Sequence, residues 1–298
     1  MTFVELTASV DWQHDVPPGL AACSNALECV KSNKVRSVYK TTCDDGAAFF
    51  IKHLTGAGPR EHLKTYIRDK AREEFAASRQ LCEAGIDAVT ICAIGNRGRE
   101  RFLVSHNCPG VPGSQIWDEI LSQQEPRQAF IASLQAFVIS LLENNVRHQD
   151  LHLGNLICRP GDGSYVFTLI DVYGTAVDDA INIDDQVEVM APMRTGLMLL
   201  NRAERLQMWR DTSAAARQPT DYFRAMVYGS WRRQALRRYK KRRGKYLRQS
   251  SIIDSHQLAD GHLRFFSDRV SDSAVSGAVR QHQVAEARGE LFKKKQKR

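Results

Sequence analysis

His148-Gln149-Asp150-Leu151-His152-Leu153-Gly154-Asn155, followed by an apolar run that ends Leu169-Ile170-Asp171, decides how this 298-residue chain is read. Two strand-like runs lie between the polar residues, Leu156-Ile157-Cys158 and Tyr165-Val166-Phe167-Thr168-Leu169-Ile170. The intervening Arg159-Pro160-Gly161-Asp162-Gly163-Ser164 has the turn chemistry to join them as a hairpin. Such a hairpin folds Asp150, Asn155 and Asp171 toward one another. A carboxylate, an amide and a second carboxylate, in that order, suit the transfer of a phosphoryl group. Asp150 orients an attacking hydroxyl, and Asn155 and Asp171 offer oxygen ligands to a Mg²⁺ ion on the phosphates. Either half of the pattern alone is an ordinary polar loop, but the combination is much rarer.

That chemistry requires a lysine on an upstream strand and a glutamate on the helix after it. Val35 to Thr41 alternates like a strand, Cys43-Asp44-Asp45-Gly46 is a turn signal, and Ala47-Ala48-Phe49-Phe50-Ile51-Lys52 is an apolar run ending in lysine. Lys52 is therefore expected on the second strand of a hairpin, contacting the α- and β-phosphates of ATP. A helix is expected from about Lys64 to Ala84, with Ala71, Phe75, Ser78, Leu81 and Cys82 on one face and Gly85 ending it. Glu74 is the preferred partner for Lys52 because its neighbour Phe75 would face the core. Glu73 stays open, one residue being a rotation of about 100° on a helix. The turn before Val35, Lys31-Ser32-Asn33-Lys34, contains no glycine, unlike the loop that covers the phosphates in protein kinases. The segment after Asp171 reads Val172-Tyr173-Gly174, and no Ala-Pro-Glu motif follows.

At these residues the chain resembles the lipopolysaccharide core kinases, the Kdo and heptose kinase family of WaaP/InaA type. The likeness covers roughly residues 30 to 252. It draws on the Lys52 hairpin, Arg72-Glu73-Glu74-Phe75 with Glu83-Ala84-Gly85-Ile86, the loop at Asp150, and Asp221 to Tyr228 with the basic run after it. The catalytic loop alone is shared with aminoglycoside and choline phosphotransferases and RIO-type kinases. The resemblance implies an α+β, two-lobed protein-kinase-like fold with a small β-rich N-lobe and a mainly helical C-lobe. It also implies ATP and Mg²⁺ as cofactors and a sugar hydroxyl of the lipopolysaccharide core glycolipid as acceptor. In these terms residues 1–105 form the N-lobe, 106–230 the C-lobe with the catalytic loop, and 231–298 a basic C-terminal extension. Phe102 to Cys108 is expected as the hinge whose backbone meets adenine, and Ile183 to Arg217 as part of the acceptor face. Asp184 and Asp185 either bind a polar substrate or cap the next helix. His148 is expected to brace the loop rather than act as a base; His152 either touches acceptor or phosphate or, the preferred reading, packs within the loop.

Charge divides the chain. The net +8 is the sum of a mildly acidic body and a C-terminal quarter, residues 231–298, with 19 Lys/Arg against 6 Asp/Glu. Ten Lys/Arg fall within Arg232 to Arg248, interleaved with Trp231, Leu236, Tyr239, Tyr246 and Leu247, and Lys293 to Arg298 is a second cluster. A solvated helix face and a nucleic-acid contact are alternatives. The preferred reading is an anionic membrane surface, where each cation contributes on the order of 1 kcal/mol. Nucleic acid is the least favoured partner. No 18-residue apolar run and no signal-peptide pattern is present, so a cytoplasmic protein, peripheral on the inner membrane, is expected. Seven scattered cysteines without a C-x-x-C pair suggest buried or half-buried free thiols, neither a zinc site nor a disulfide framework. The segment from about Asp268 is expected to be a helix or a partly disordered tail.

Overall fold

The computed structural model describes residues 1–33, 35–55, 69–197, 199–246, 253–258 and 261–266. Met1–Ser230 is one compact unit and Trp231–Arg298 a second. The first unit opens with α1 (Phe3–Leu6), strand β1 (Asp11–Trp12) and α2 (Pro18–Ala21). Five further strands follow: β2 (Glu28–Ser32), β3 (Arg36–Thr42), β4 (Ala48–Leu54), β5 (Ile91–Arg97) and β6 (Glu100–His106). Together they form a six-stranded antiparallel sheet in the order β1-β5-β6-β4-β3-β2.

The two-residue period of a strand sets the two faces of β4. Phe49, Ile51 and His53 are buried, and Phe49 and Ile51 join Phe3, Leu6, Leu20, Phe102 and Val104 in one core cluster. The alternate residues, Phe50 and Lys52, face a cavity on the other side. Lys52 stands opposite Val38 of β3 and Leu103 of β6, fixed by neighbours on both sides.

Helix α3 (Lys70–Glu83) lies between β4 and β5. Asp69 caps it, accepting from the N–H groups of Ala71 and Arg72. It ends where Gly85 adopts φ +72 and Ile86 N–H reaches back to the Leu81 carbonyl. Ala71, Glu74, Ala77, Ser78 and Leu81 form its buried face. Ser78 Oγ donates to the Val89 carbonyl and accepts from Ile91 N–H, which locks the helix to the start of β5. Cys82, expected on this face, is exposed, as is Cys29. Residues 64 to 68, the expected start of the helix, lie outside the described residues.

After the sheet come β7 (Val111–Pro112), α4 (Gly113–Ile120) and α5 (Gln124–Glu143). Phe130, Ile131, Leu134, Val138, Leu141 and Leu142 recur at helical spacing on the buried side of α5. Next are β8 (Val146–Arg147), the hairpin β9 (Leu156–Pro160) and β10 (Tyr165–Leu169), and β11 (Ala176–Val177). Short helices α6 (Ile183–Val189) and α7 (Arg194–Leu197) precede α8 (Arg202–Ala215) and the long α9 (Thr220–Tyr246). Asn182 caps α6, accepting from Asp185 N–H and donating to its carboxylate, so the cap is not an aspartate. The order, a sheet with one long helix and two short ones followed by a mainly helical half, is the two-lobed α+β fold implied by the sequence. In the second unit, β12 (Ile253–Leu258) and β13 (Gly261–Phe266) pair as a hairpin that the sequence reading did not foresee. The expected tail from Asp268 and the Lys293 to Arg298 cluster lie outside the described residues. Among the described residues no helix is long and apolar enough to cross a membrane.

Gly110 joins the two halves at φ +122, and a Cβ there would lie 2.4 Å from the Cys158 carbonyl oxygen. Backbone cannot step aside as a side chain can. Gly110→Ala is expected to lower the unfolding free energy by about 3 kcal/mol, read from urea titration.

Candidate active site

The loop from His148 to Asn155 is held from within. Asn145, at φ +50, ends α5 and turns the chain into β8. His148 is buried, and its Nδ1 accepts from the N–H of Asp150 at 3.1 Å. The ring proton therefore sits on Nε2, turned toward the backbone of Asp171 without completing a hydrogen bond. Asn155 Nδ2 donates to the Asp150 carbonyl at 3.0 Å, and Asn155 N–H closes onto the His152 carbonyl. The Asp150 carboxylate is left open, its side chain 78 % exposed, with His152 Nε2 at 3.8 Å. His152 was expected to pack within the loop; it is exposed beside Asp150 instead.

The hairpin then delivers Asp171. Leu156 pairs with Leu169, and Ile170 N–H donates to the Asn155 carbonyl, so Asn155 and Asp171 flank the same end of the ladder. The strand end is also tied to the N-terminal half: Leu169 N–H donates to the Asp87 carbonyl, and Val89 N–H donates to the Leu169 carbonyl. Asp171 itself has φ +56, a left-handed conformation that aspartate tolerates better than most residues.

From the sheet, Lys52 Nζ is paired with Glu74 Oε1 and lies 3.6 Å from Asp171 Oδ1. Glu74 is 5 % exposed, which makes Lys52 its necessary partner. Phe75 is only half-buried; its ring stacks on His14 at 4.1 Å, and Arg72 donates to Gln13. This contact from the N-terminal segment to α3 crosses some 60 residues and left no local signal in the sequence.

A cavity of about 480 Å³ opens beside Lys52. Val38, Val89, Ile91, Leu103, Ile157 and Ile170 give it apolar walls, and Ser105 to Cys108 form one edge. This suits a flat heterocycle. His106 and Asn107 spend their N–H groups on the carbonyls of Thr90 and Ala48, so a base must take its backbone bonds elsewhere on that edge.

The oxygen set fits a hard divalent cation. The amide nitrogen of Asn155 is committed to a carbonyl, which leaves its Oδ1 as a ligand, and Asp171 adds a carboxylate beside it. Among the described residues no group of three or more His, Cys, Asp or Glu gathers to hold a metal. A Mg²⁺ ion that shares phosphate oxygens needs no such cluster.

Burial pushes the His148 imidazole from its ordinary 6.5 down to about 4, against the pull of the Asp150 and Asp171 carboxylates. The fold thus favours the neutral ring. The unfolded chain takes up a proton near pH 6.5 and the folded chain only near pH 4, so the stabilisation is complete above pH 6.5 and is lost as pH falls toward 4. His53, buried against Phe102, is lowered for the same reason and acts in the same direction. Between pH 7 and pH 5 the expected loss for His148 is about 2 kcal/mol, and a His148→Asn variant should show a clearly flatter dependence in urea titrations at those two pH values.

No protein-family model matches the chain. A curated relative does: the lipopolysaccharide core heptose(I) kinase WaaP of Pseudomonas aeruginosa is 24% identical over 211 residues, spanning 65% of this chain and 68% of that protein. Among solved structures, WbdD bound to a kinase inhibitor overlaps 66% of this chain and 43% of its own, with 17% identity and a TM-score of 0.43. WbdD described as a bifunctional kinase-methyltransferase overlaps 92% and 51%, with 14% identity and a TM-score of 0.42. The chain spans about half the length of those solved chains, and the fold stands on the element order given above. The resemblance read from the sequence is met by a protein of that description: this chain is similar, at 24% identity, to a lipopolysaccharide core heptose(I) kinase.

Proposed function

We propose that this protein is an ATP-dependent kinase that transfers the γ-phosphoryl group to a sugar hydroxyl of the lipopolysaccharide inner core, a heptose or Kdo. The observation that carries the reading is the convergence on Asp171: Lys52, held by Glu74, reaches it from the sheet, and the Asp150–Asn155 loop flanks it from the helical half. In this mechanism the apolar cavity holds the base and Lys52 neutralises phosphate oxygens, fixed in place by Glu74. Asn155 Oδ1 and Asp171 would hold a Mg²⁺ ion, which when bound would neutralise charge on the phosphates. Asp150 accepts a hydrogen bond from the acceptor hydroxyl and aims it along the line of attack. Its exposure lets a large glycolipid approach. The relative named for the heptose of the lipopolysaccharide core supports that acceptor class.

In the same reading the second unit meets the membrane. Arg232, Arg233, Arg237 and Lys240 are exposed on α9 together with Leu236 and Tyr239. Four such cations beside anionic lipid contribute about 4 kcal/mol, enough to concentrate a cytoplasmic enzyme at the inner membrane surface.

The test is transfer of labelled γ-phosphate from Mg-ATP by wild-type and Asp150→Asn protein. Dephosphorylated lipopolysaccharide core, a panel of aminoglycosides and cholines, and generic protein are the acceptors. Label on the core that depends on Asp150 is expected. Label confined to a small molecule or to protein would overturn the acceptor.

A further inference from the structure

A second cavity, of about 360 Å³, shares Arg36, Lys52, Glu74 and Asp171 with the base cavity. Its remaining walls bring cations from separate elements: Lys70 from the start of α3, Arg99 from the β5–β6 turn and Arg101 from β6. Among the described residues, these with Arg36 and Lys52 make five positive charges against the carboxylates of Glu74 and Asp171. Those two face Lys52. Asp69 lies 3.5 Å from Arg101, Glu100 is paired with Arg97, and Lys70 rests over the Tyr173 ring. A concave surface with this surplus of one sign focuses its field on an anion.

The neighbouring turn explains why side chains are needed. In a glycine-rich loop, backbone N–H groups point at the phosphates. Here Asn33 Oδ1 accepts from the N–H groups of both Val35 and Arg36, and Asn33 N–H donates to the Arg36 carbonyl. The amides of Asn33, Val35 and Arg36 are spent within the turn.

We infer that this cavity is a phosphate-type oxyanion site built from Arg36, Lys70, Arg99 and Arg101, taking over the role that backbone amides play in a glycine-rich loop. The inference rests on the kinase reading for the identity of the ligand. The oxyanion belongs either to the triphosphate of the nucleotide or to an anionic group on the acceptor.

The experiment uses the full chain and an Arg36→Gln/Arg99→Gln variant, with circular dichroism to verify the fold. Titration calorimetry measures adenosine, ATP and inorganic tripolyphosphate, and steady-state kinetics measures phosphorylated and dephosphorylated core acceptors. If the nucleotide supplies the anion, tripolyphosphate competes with ATP, and the variant binds both at least about tenfold more weakly while adenosine, which carries no phosphate, weakens far less. If the acceptor supplies it, ATP affinity holds and KM rises only for the phosphorylated core. ATP, tripolyphosphate and both acceptors all staying within twofold of wild type would overturn the site. Should the double variant not fold, Arg99→Gln alone, on an exposed turn, gives a smaller weakening of the same ligand. Wild-type protein that binds tripolyphosphate through these arginines but not adenosine would refute the kinase reading and leave the oxyanion site standing.

Discussion

Asp150→Asn is expected to lower kcat for phosphoryl transfer by about a thousandfold while leaving ATP affinity and the urea midpoint near wild type. The side chain is 78 % exposed, with His152 Nε2 3.8 Å away, so the amide costs the fold little. The loop keeps its shape because His148 and Asn155 hold the Asp150 backbone, not its carboxylate. What is lost is a carboxylate able to take the acceptor's hydrogen bond. Asp171→Asn should be as severe, but with metal dependence altered, since the variant keeps one neutral oxygen where a charged ligand stood. Asparagine is the cleaner choice there: at φ +56 alanine adds about 1 kcal/mol of backbone strain, which would mix stability with catalysis. The measurement is single-turnover label transfer with Mg²⁺ titrated. A near-normal rate in either variant would remove that residue from the mechanism.

The parts of this site legible in the sequence are those fixed by short-range chemistry. Glycine and proline between two apolar runs define β9 and β10, so Asn155 and Asp171 had to meet at one end of that hairpin. The period of β4 puts Lys52 opposite the buried Ile51 face, and Gly85 marks the end of α3 because it takes the left-handed conformation there. The features that were not legible depend on distant partners. Nothing near Phe75 announces that His14 will stack on it. Arg36, Lys70, Arg99 and Arg101 are unremarkable singly and become a cluster only when the sheet and α3 assemble. Asn33 reads as a turn residue, and nothing in the sequence announces that its Oδ1 takes the amides of Val35 and Arg36. The exposure of His152 belongs to the same class, since loop packing depends on which side the hairpin closes.

Lys52→Met is expected to abolish measurable transfer and to lower the unfolding free energy by about 3 kcal/mol at neutral pH. The two losses have different origins, and a second substitution separates them. Catalysis fails because the phosphates lose their cation. Stability fails because Glu74, 5 % exposed, is left as a buried carboxylate without its partner. Asp171 adds little to the second loss: it is 45 % exposed and water can solvate it. The double variant Lys52→Met/Glu74→Leu removes both members of the pair and should recover most of the lost stability while activity stays absent, because a hydrophobic pair of similar volume replaces a buried ion pair at little cost. Glu74→Gln alone keeps the shape of the contact but frees Lys52 to swing toward Asp171, so kcat should fall by at least about tenfold with a smaller loss of stability. Urea titrations and label transfer on the four proteins decide the matter. If the double variant is no more stable than Lys52→Met, the buried carboxylate is not the source of the instability. If Glu74→Gln turns over normally, α3 does not position the lysine.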